Sequence, residues 1–148
     1  MLRILAAFIF FTRLPFWRLA EVPSEYFKNV VSRWALVGWL TAGLSVIVLY
    51  TVSLILPASV AVLLAIVTRL LITGCLHEDG LADFFDSFGG GTSRERILSI
   101  MKDSHIGSYG VIGLILYFAL LYTLLSSLPL TLAGSAILAG DPFSKGVA

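Results

Sequence analysis

The chain has 148 residues, 58% of them hydrophobic and 13% charged, with a formal net charge of +1, and its mean hydropathy is +0.96. A soluble domain is nearer half apolar and a quarter charged, so this is an integral membrane protein or a piece of one. The small net charge excludes the broad basic field that a nucleic-acid partner requires, and the single cysteine, Cys75, excludes an internal disulfide.

The chain opens on an apolar run, Ile4 to Phe11. Eight residues make a helix of roughly 12 Å, too short for a hydrocarbon core of about 30 Å. An interfacial helix ended before Pro15 is expected, and the absence of a small-x-small cleavage site argues against a signal peptide. Residues 13–33 form a polar loop holding Arg13, Arg18, Glu21, Glu25, Lys28 and Arg33. Residues 34–56 carry no charge and read as a first membrane span. Its small residues Gly38, Thr41, Ala42, Gly43 and Ser45 can seat a neighbouring helix closely. After Pro57, residues 58–76 read as a second span containing Arg69, which either snorkels to the interface or turns inward to phosphate or the aspartate cluster at residues 79–86.

Residues 77–105 are the second polar segment. Thr92 or Ser93 can cap a short helix there. Residues 106–128 read as a third span. Its opening Gly107-x-x-Gly110-x-x-Gly113 lacks the preceding strand of a dinucleotide fingerprint and reads as close helix packing. A fourth span begins at Leu130 and is expected to break at Asp141-Pro142-Phe143-Ser144-Lys145. The expected fold is therefore an all-α polytopic bundle of about four membrane segments plus the N-terminal interfacial helix. The turns at Pro57 and Pro129 are uncharged, whereas the two polar loops and Lys145 carry nearly all the Lys and Arg. The positive-inside rule puts those loops in the cytoplasm.

Within the second polar segment, His77, Glu78, Asp79, Asp83 and Asp86 fall inside ten positions. On a helix, Asp79, Asp83 and Asp86 lie within about 60° of one another. Three like charges on one stripe repel unless a cation sits among them, and hard oxygen donors suit Mg²⁺ or Mn²⁺. Gly80 keeps the space beside Asp79 open. The competing reading is a solvated acidic helix face, which is unusual where it interrupts a hydrophobic chain.

Three motifs together resemble the cobalamin synthase family: His77-Glu78-Asp79-Gly80-Leu81-Ala82-Asp83-x-x-Asp86, then Arg94-x-Arg96, then Met101-Lys102-Asp103-Ser104-His105-Ile106-Gly107-x-x-Gly110. The opening Phe10-Phe11-Thr12-Arg13-Leu14-Pro15 is similar to that family's as well. The resemblance implies a Mg²⁺-dependent, multi-pass enzyme of a bacterial or archaeal inner membrane with its active site on the cytoplasmic side. It implies joining of adenosylcobinamide-GDP to α-ribazole or its 5′-phosphate with release of GMP. The lipid bilayer is then a partner and a homo-oligomer is allowed. Family members run longer, so residues 1–148 would be a single membrane domain, the N-terminal part of that fold. Position 78 departs from the pattern, since an apolar residue is expected there.

Under that resemblance Asp79, Asp83 and Asp86 are the metal ligands. Asp103 either completes the metal site or accepts the proton of the attacking hydroxyl, with Asp86 and His77 as further catalytic candidates. Arg13, Arg69, Arg94, Arg96, Lys102 and His105 are candidate substrate contacts. Each cation has an equal claim as a membrane anchor, and for each histidine a plain packing or hydrogen-bonding role is favoured. A CDP-alcohol phosphotransferase is disfavoured by Asp83 and Phe84, where that motif needs Ala and Arg. A divalent-cation transporter and a non-catalytic membrane module are the alternatives of other classes.

Overall fold

The structure, a computed structural model, describes residues 1–147. Its regular elements are helices: α1 (Leu2–Phe11), α2 (Trp34–Ser53), α3 (Ala58–Thr73), α4 (Leu76–Gly90), α5 (Arg94–Ile100), α6 (Ser108–Ser127) and α7 (Leu130–Val147). Three short 3-10 turns join α1 to α2. The helices group into two compact units, one of Met1–Gly74 with Leu125–Ala148 and one of Cys75–Leu124.

In the first unit, α1 stops where Thr12 turns extended and its hydroxyl donates back to the Phe8 carbonyl at 2.7 Å. Pro15 forbids further helix. The Ala6, Ala7 and Phe11 face of α1 is buried with Val30 and Val37. The Phe11 ring stacks on Trp34 with centroids 5.2 Å apart. Helix α2 buries Val37, Thr41, Ala42, Ser45 and Leu49, a stripe at helical spacing that faces α3 and α7. Of the small residues read from sequence as a seat for a neighbour, Gly38, Thr41, Ala42 and Ser45 are buried, whereas a Cβ at Gly43 would meet no neighbour. Gly38 lies so close to α7 that a Cβ there would fall 2.6 Å from Pro142 Cα.

The expected break at residues 141–145 does not occur, because α7 continues through Pro142 to Val147. The two charged residues are not solvated there but paired. Asp141 is 8% exposed and Lys145 6%. The Asp141 carboxylate accepts from the Lys145 ammonium one turn on and from the Thr41 hydroxyl of α2, and Arg69 of α3 approaches it at 3.8 Å. A carboxylate with these partners stays inside a helix that an unpaired one would break.

The count of spans also differs from the sequence reading. Among the described residues, two helical stretches, Val30–Ser53 and Ser108–Ser127, are long and apolar enough to cross a membrane. A third exists if Ala58–Thr73 and Leu76–Gly90 form one broken span. The second expected span is cut short because Gly74 and Cys75 both take positive φ, 63° and 60°. Helix α7 carries too many polar and small residues along its length to qualify.

In the second unit, α5 starts where the Ser93 hydroxyl accepts the Arg96 N–H at 3.2 Å, the cap expected from sequence. The glycine row of α6 gives close packing, as its spacing predicts. A Cβ at Gly113 would overlap the Phe85 ring, and one at Gly110 would meet Asp86 and the Ala82 carbonyl.

Candidate active site

Helix α4 presents two stripes. Glu78, Ala82 and Asp86 are buried at four-residue spacing, and Asp79 and Asp83 lie beside them, exposed and half-buried respectively. The region next to Gly80 is open, with no neighbour near enough to touch an added Cβ. Asp79 and Asp83 thus lie one turn apart on either side of an open position.

Asp86 differs from the other two. It is 8% exposed, its Oδ2 accepts the Gly107 N–H at 2.7 Å and its Oδ1 accepts the Gly110 N–H at 2.8 Å. Gly107 precedes α6 and its carbonyl takes the first helical hydrogen bond, from Val111 at 3.1 Å. Gly107 is therefore the N-cap and Gly110 the third residue of the helix, positions whose N–H groups have no partner within the helix. One carboxylate from α4 satisfies both.

The turn between α5 and α6 carries Asp103 and His105. Asp103 Oδ1 accepts the His105 backbone N–H at 3.1 Å and meets the ring Nδ1 at 2.6 Å. That side-chain hydrogen bond holds the Asp103 carboxyl below its ordinary range and raises the His105 imidazole above its own. Both side chains are open to solvent. Asp86, Asp103, His105, Gly107 and Tyr109 line one cavity of about 310 Å³.

The remaining predicted residues divide between the units. Arg94, Arg96 and Lys102 are exposed on and after α5, and His77 is half-buried in the first turn of α4. Arg13 and Arg69 belong to the first unit. The Arg13 backbone N–H donates to Ile72 O at 2.7 Å and its side chain covers Gly74. Arg69 faces the Asp141 carboxylate of its own unit, an acid that the sequence reading did not assign to it.

Among the described residues, no group of three or more His, Cys, Asp or Glu side chains gathers closely enough to hold a metal ion by itself. The donor set nevertheless fits Mg²⁺, which takes one or two protein carboxylates and completes its shell with water and substrate phosphate. Asp79 and Asp83 are such a pair.

A family model described as cobalamin-5-phosphate synthase matches residues 3–148. The chain belongs to that family. Within the family it is similar to curated proteins named adenosylcobinamide-GDP ribazoletransferase. The relative from Shewanella putrefaciens is 46% identical over 147 residues, covering 97% of this chain and 56% of the relative. Those from Shewanella baltica and Shewanella oneidensis are 45% and 44% identical, over 97% and 94% of this chain and 56% and 54% of theirs. The chain thus spans about half the length of the curated relatives it matches. No solved structure matches it. The roles of Gly107 and Gly110 as the partners of Asp86 escaped the sequence reading of this family member. The available signal was Gly110 in the first turn of a helix, where helix propensity disfavours glycine.

Proposed function

We propose that the protein transfers the adenosylcobinamide phosphate moiety of adenosylcobinamide-GDP to the hydroxyl of α-ribazole or α-ribazole 5′-phosphate and releases GMP. The carrying observation is membership of the cobalamin-5-phosphate synthase family over residues 3–148. The second unit supports it, because one contiguous segment supplies an open carboxylate pair, exposed guanidinium groups and the Asp103–His105 pair. Bound Mg²⁺ would neutralise charge developing on the diphosphate oxygens. Asp79 and Asp83 would hold it.

Arg94, Arg96 and Lys102 supply cations for the remaining phosphate oxygens, Arg in the bidentate manner that suits phosphate. The hydroxyl that attacks phosphorus must lose a proton, and Asp103 with His105 offers an acceptor. With Asp103 fixing Nδ1, the Nε2 of His105 is the nitrogen left to exchange a proton with substrate. The site faces the cytoplasm of a bacterial or archaeal inner membrane in this reading, since its cations lie in a loop that the positive-inside rule keeps there.

The test is GMP release from adenosylcobinamide-GDP and α-ribazole by membranes carrying the protein as the cell makes it, with and without Mg²⁺. Release that requires both the acceptor and Mg²⁺ is expected. Mg²⁺ uptake without GMP release would replace this reading with a transporter, and neither activity would leave a non-catalytic membrane module.

A further inference from the structure

Three carboxylates at i, i+4 and i+7 on one helix look equivalent, and the structure makes them unequal. Asp79 is exposed and Asp83 half-buried, with open space at Gly80 between them, whereas Asp86 is buried with each oxygen already accepting a backbone N–H across 21 and 24 residues of chain. The fit is tight from the other side too. A Cβ at Gly107 or at Gly110 would overlap the Asp86 carboxylate, so both positions leave room for it. The two amides are the N-cap and third-residue donors of α6, the pair that a capping box ordinarily satisfies from within its own helix. Here the acid comes from another helix, and its charge faces the positive end of the α6 dipole.

We infer that Asp86 is a positioning residue that fastens the start of α6, and with it the Asp103–His105 turn, to the helix bearing Asp79 and Asp83. The turn ends two residues before Gly107, so the carboxylate fixes where His105 and Asp103 stand along the wall of the cavity that all three line. Its affinity is spent on two N–H groups. Loss of Asp86 frees the turn and leaves the Asp79–Asp83 pair intact. This inference rests on the proposed metal role of Asp79 and Asp83 only for the second of its two readouts.

The experiment compares wild type, Asp86→Asn and Asp83→Asn in lipid nanodiscs. The first readout is amide hydrogen exchange over residues 103–111 without Mg²⁺. The second is the rise in melting temperature on adding Mg²⁺. Asp86→Asn can accept only one of the two N–H groups. It is expected to speed exchange at Gly107 or Gly110 at least tenfold while keeping most of the Mg²⁺-induced rise. Asp83→Asn is expected to leave exchange unchanged and to lose most of that rise. Unchanged exchange in Asp86→Asn overturns the inference. So does loss of the Mg²⁺ effect in that variant to the extent seen in Asp83→Asn. If Asp83→Asn keeps the full Mg²⁺ effect, the metal reading falls and the exchange result still decides the role of Asp86. Gly107→Ala, which crowds the carboxylate without removing its charge, carries the same test if Asp86→Asn fails to fold. Exchange at Gly110 no faster than in wild type would then be the overturning result.

Discussion

At the scale of single residues, the acids of α4 and the α5–α6 turn make separable predictions. Asp83→Asn keeps shape and removes charge from the proposed metal pair. Turnover should fall by about a hundredfold, on the order of 3 kcal/mol in the barrier. A rate of GMP release within a factor of two of wild type would return Asp83 to a solvated helix face. The Asp103–His105 pair gives a pH prediction. His105 is raised above its ordinary value of 6.5, so its contribution is complete below 6.5 and is lost as pH climbs through the higher folded value. Asp103 is lowered from 3.8, so its contribution is complete above 3.8 and is lost as pH falls through the lower folded value. The pair is therefore intact between those two limits and weakens beyond either. Ring resonances of His105 should titrate above 6.5 in wild type and move back toward it in Asp103→Asn. An identical midpoint in the two proteins would show that the hydrogen bond does not form in solution. The identities of these residues were legible in the sequence, because carboxylates are conspicuous in an apolar chain and their helical spacing is local. The engagement of Asp86 was not legible, since its partners are main-chain groups distant along the chain and carry no side-chain signature.

At the scale of elements, α7 shows how a polar cluster survives inside a helix. Asp141 holds Lys145, Thr41 and Arg69, all from the same unit. Asp141→Asn leaves two cations facing one another with their counter-charge gone. A destabilisation of about 3 kcal/mol follows from breaking a buried pair on one side. Asp141→Leu combined with Lys145→Leu should recover part of that loss, because no buried ammonium is then left uncompensated. Denaturant unfolding in detergent reads both, and a double variant less stable than Asp141→Asn would count against the pairing as the reason α7 persists. Gly113→Ala tests the α4–α6 contact. The added methyl meets the Phe85 ring, and overpacking of this kind costs about 1–3 kcal/mol. Spacing alone foretold that contact, since three glycines at successive i+3 positions mark one close-packed face. The sequence misjudged α7 because Asp141, Pro142, Ser144 and Lys145 within five positions signal a loop unless the partners on α2 and α3 are known.

At the scale of the whole molecule, α6 is 20 residues long, about 30 Å, enough to cross a hydrocarbon core. Cysteines placed at Ser93 and Ser126, both exposed, should label from opposite sides of the membrane. The background has Cys75→Gly, which suits the positive φ there. Labelling of both from one side would remove α6 as a crossing helix.

The division into two units also orders the making of the protein. One unit, Cys75–Leu124, is a single uninterrupted segment, and its Asp86–Gly110 bond closes a loop of only 24 residues. The other is assembled from the two ends of the chain, and its Thr41–Asp141 bond spans 100. Synthesis runs from the N-terminus, so the inner segment can finish its contacts while the outer unit still awaits α7. A ribosome paused soon after Leu124 has emerged into the bilayer would already hold a chain in which Gly107 and Gly110 are protected from exchange. On the same paused ribosome, α2 would have met α3 but not yet α7, the helix on its other side.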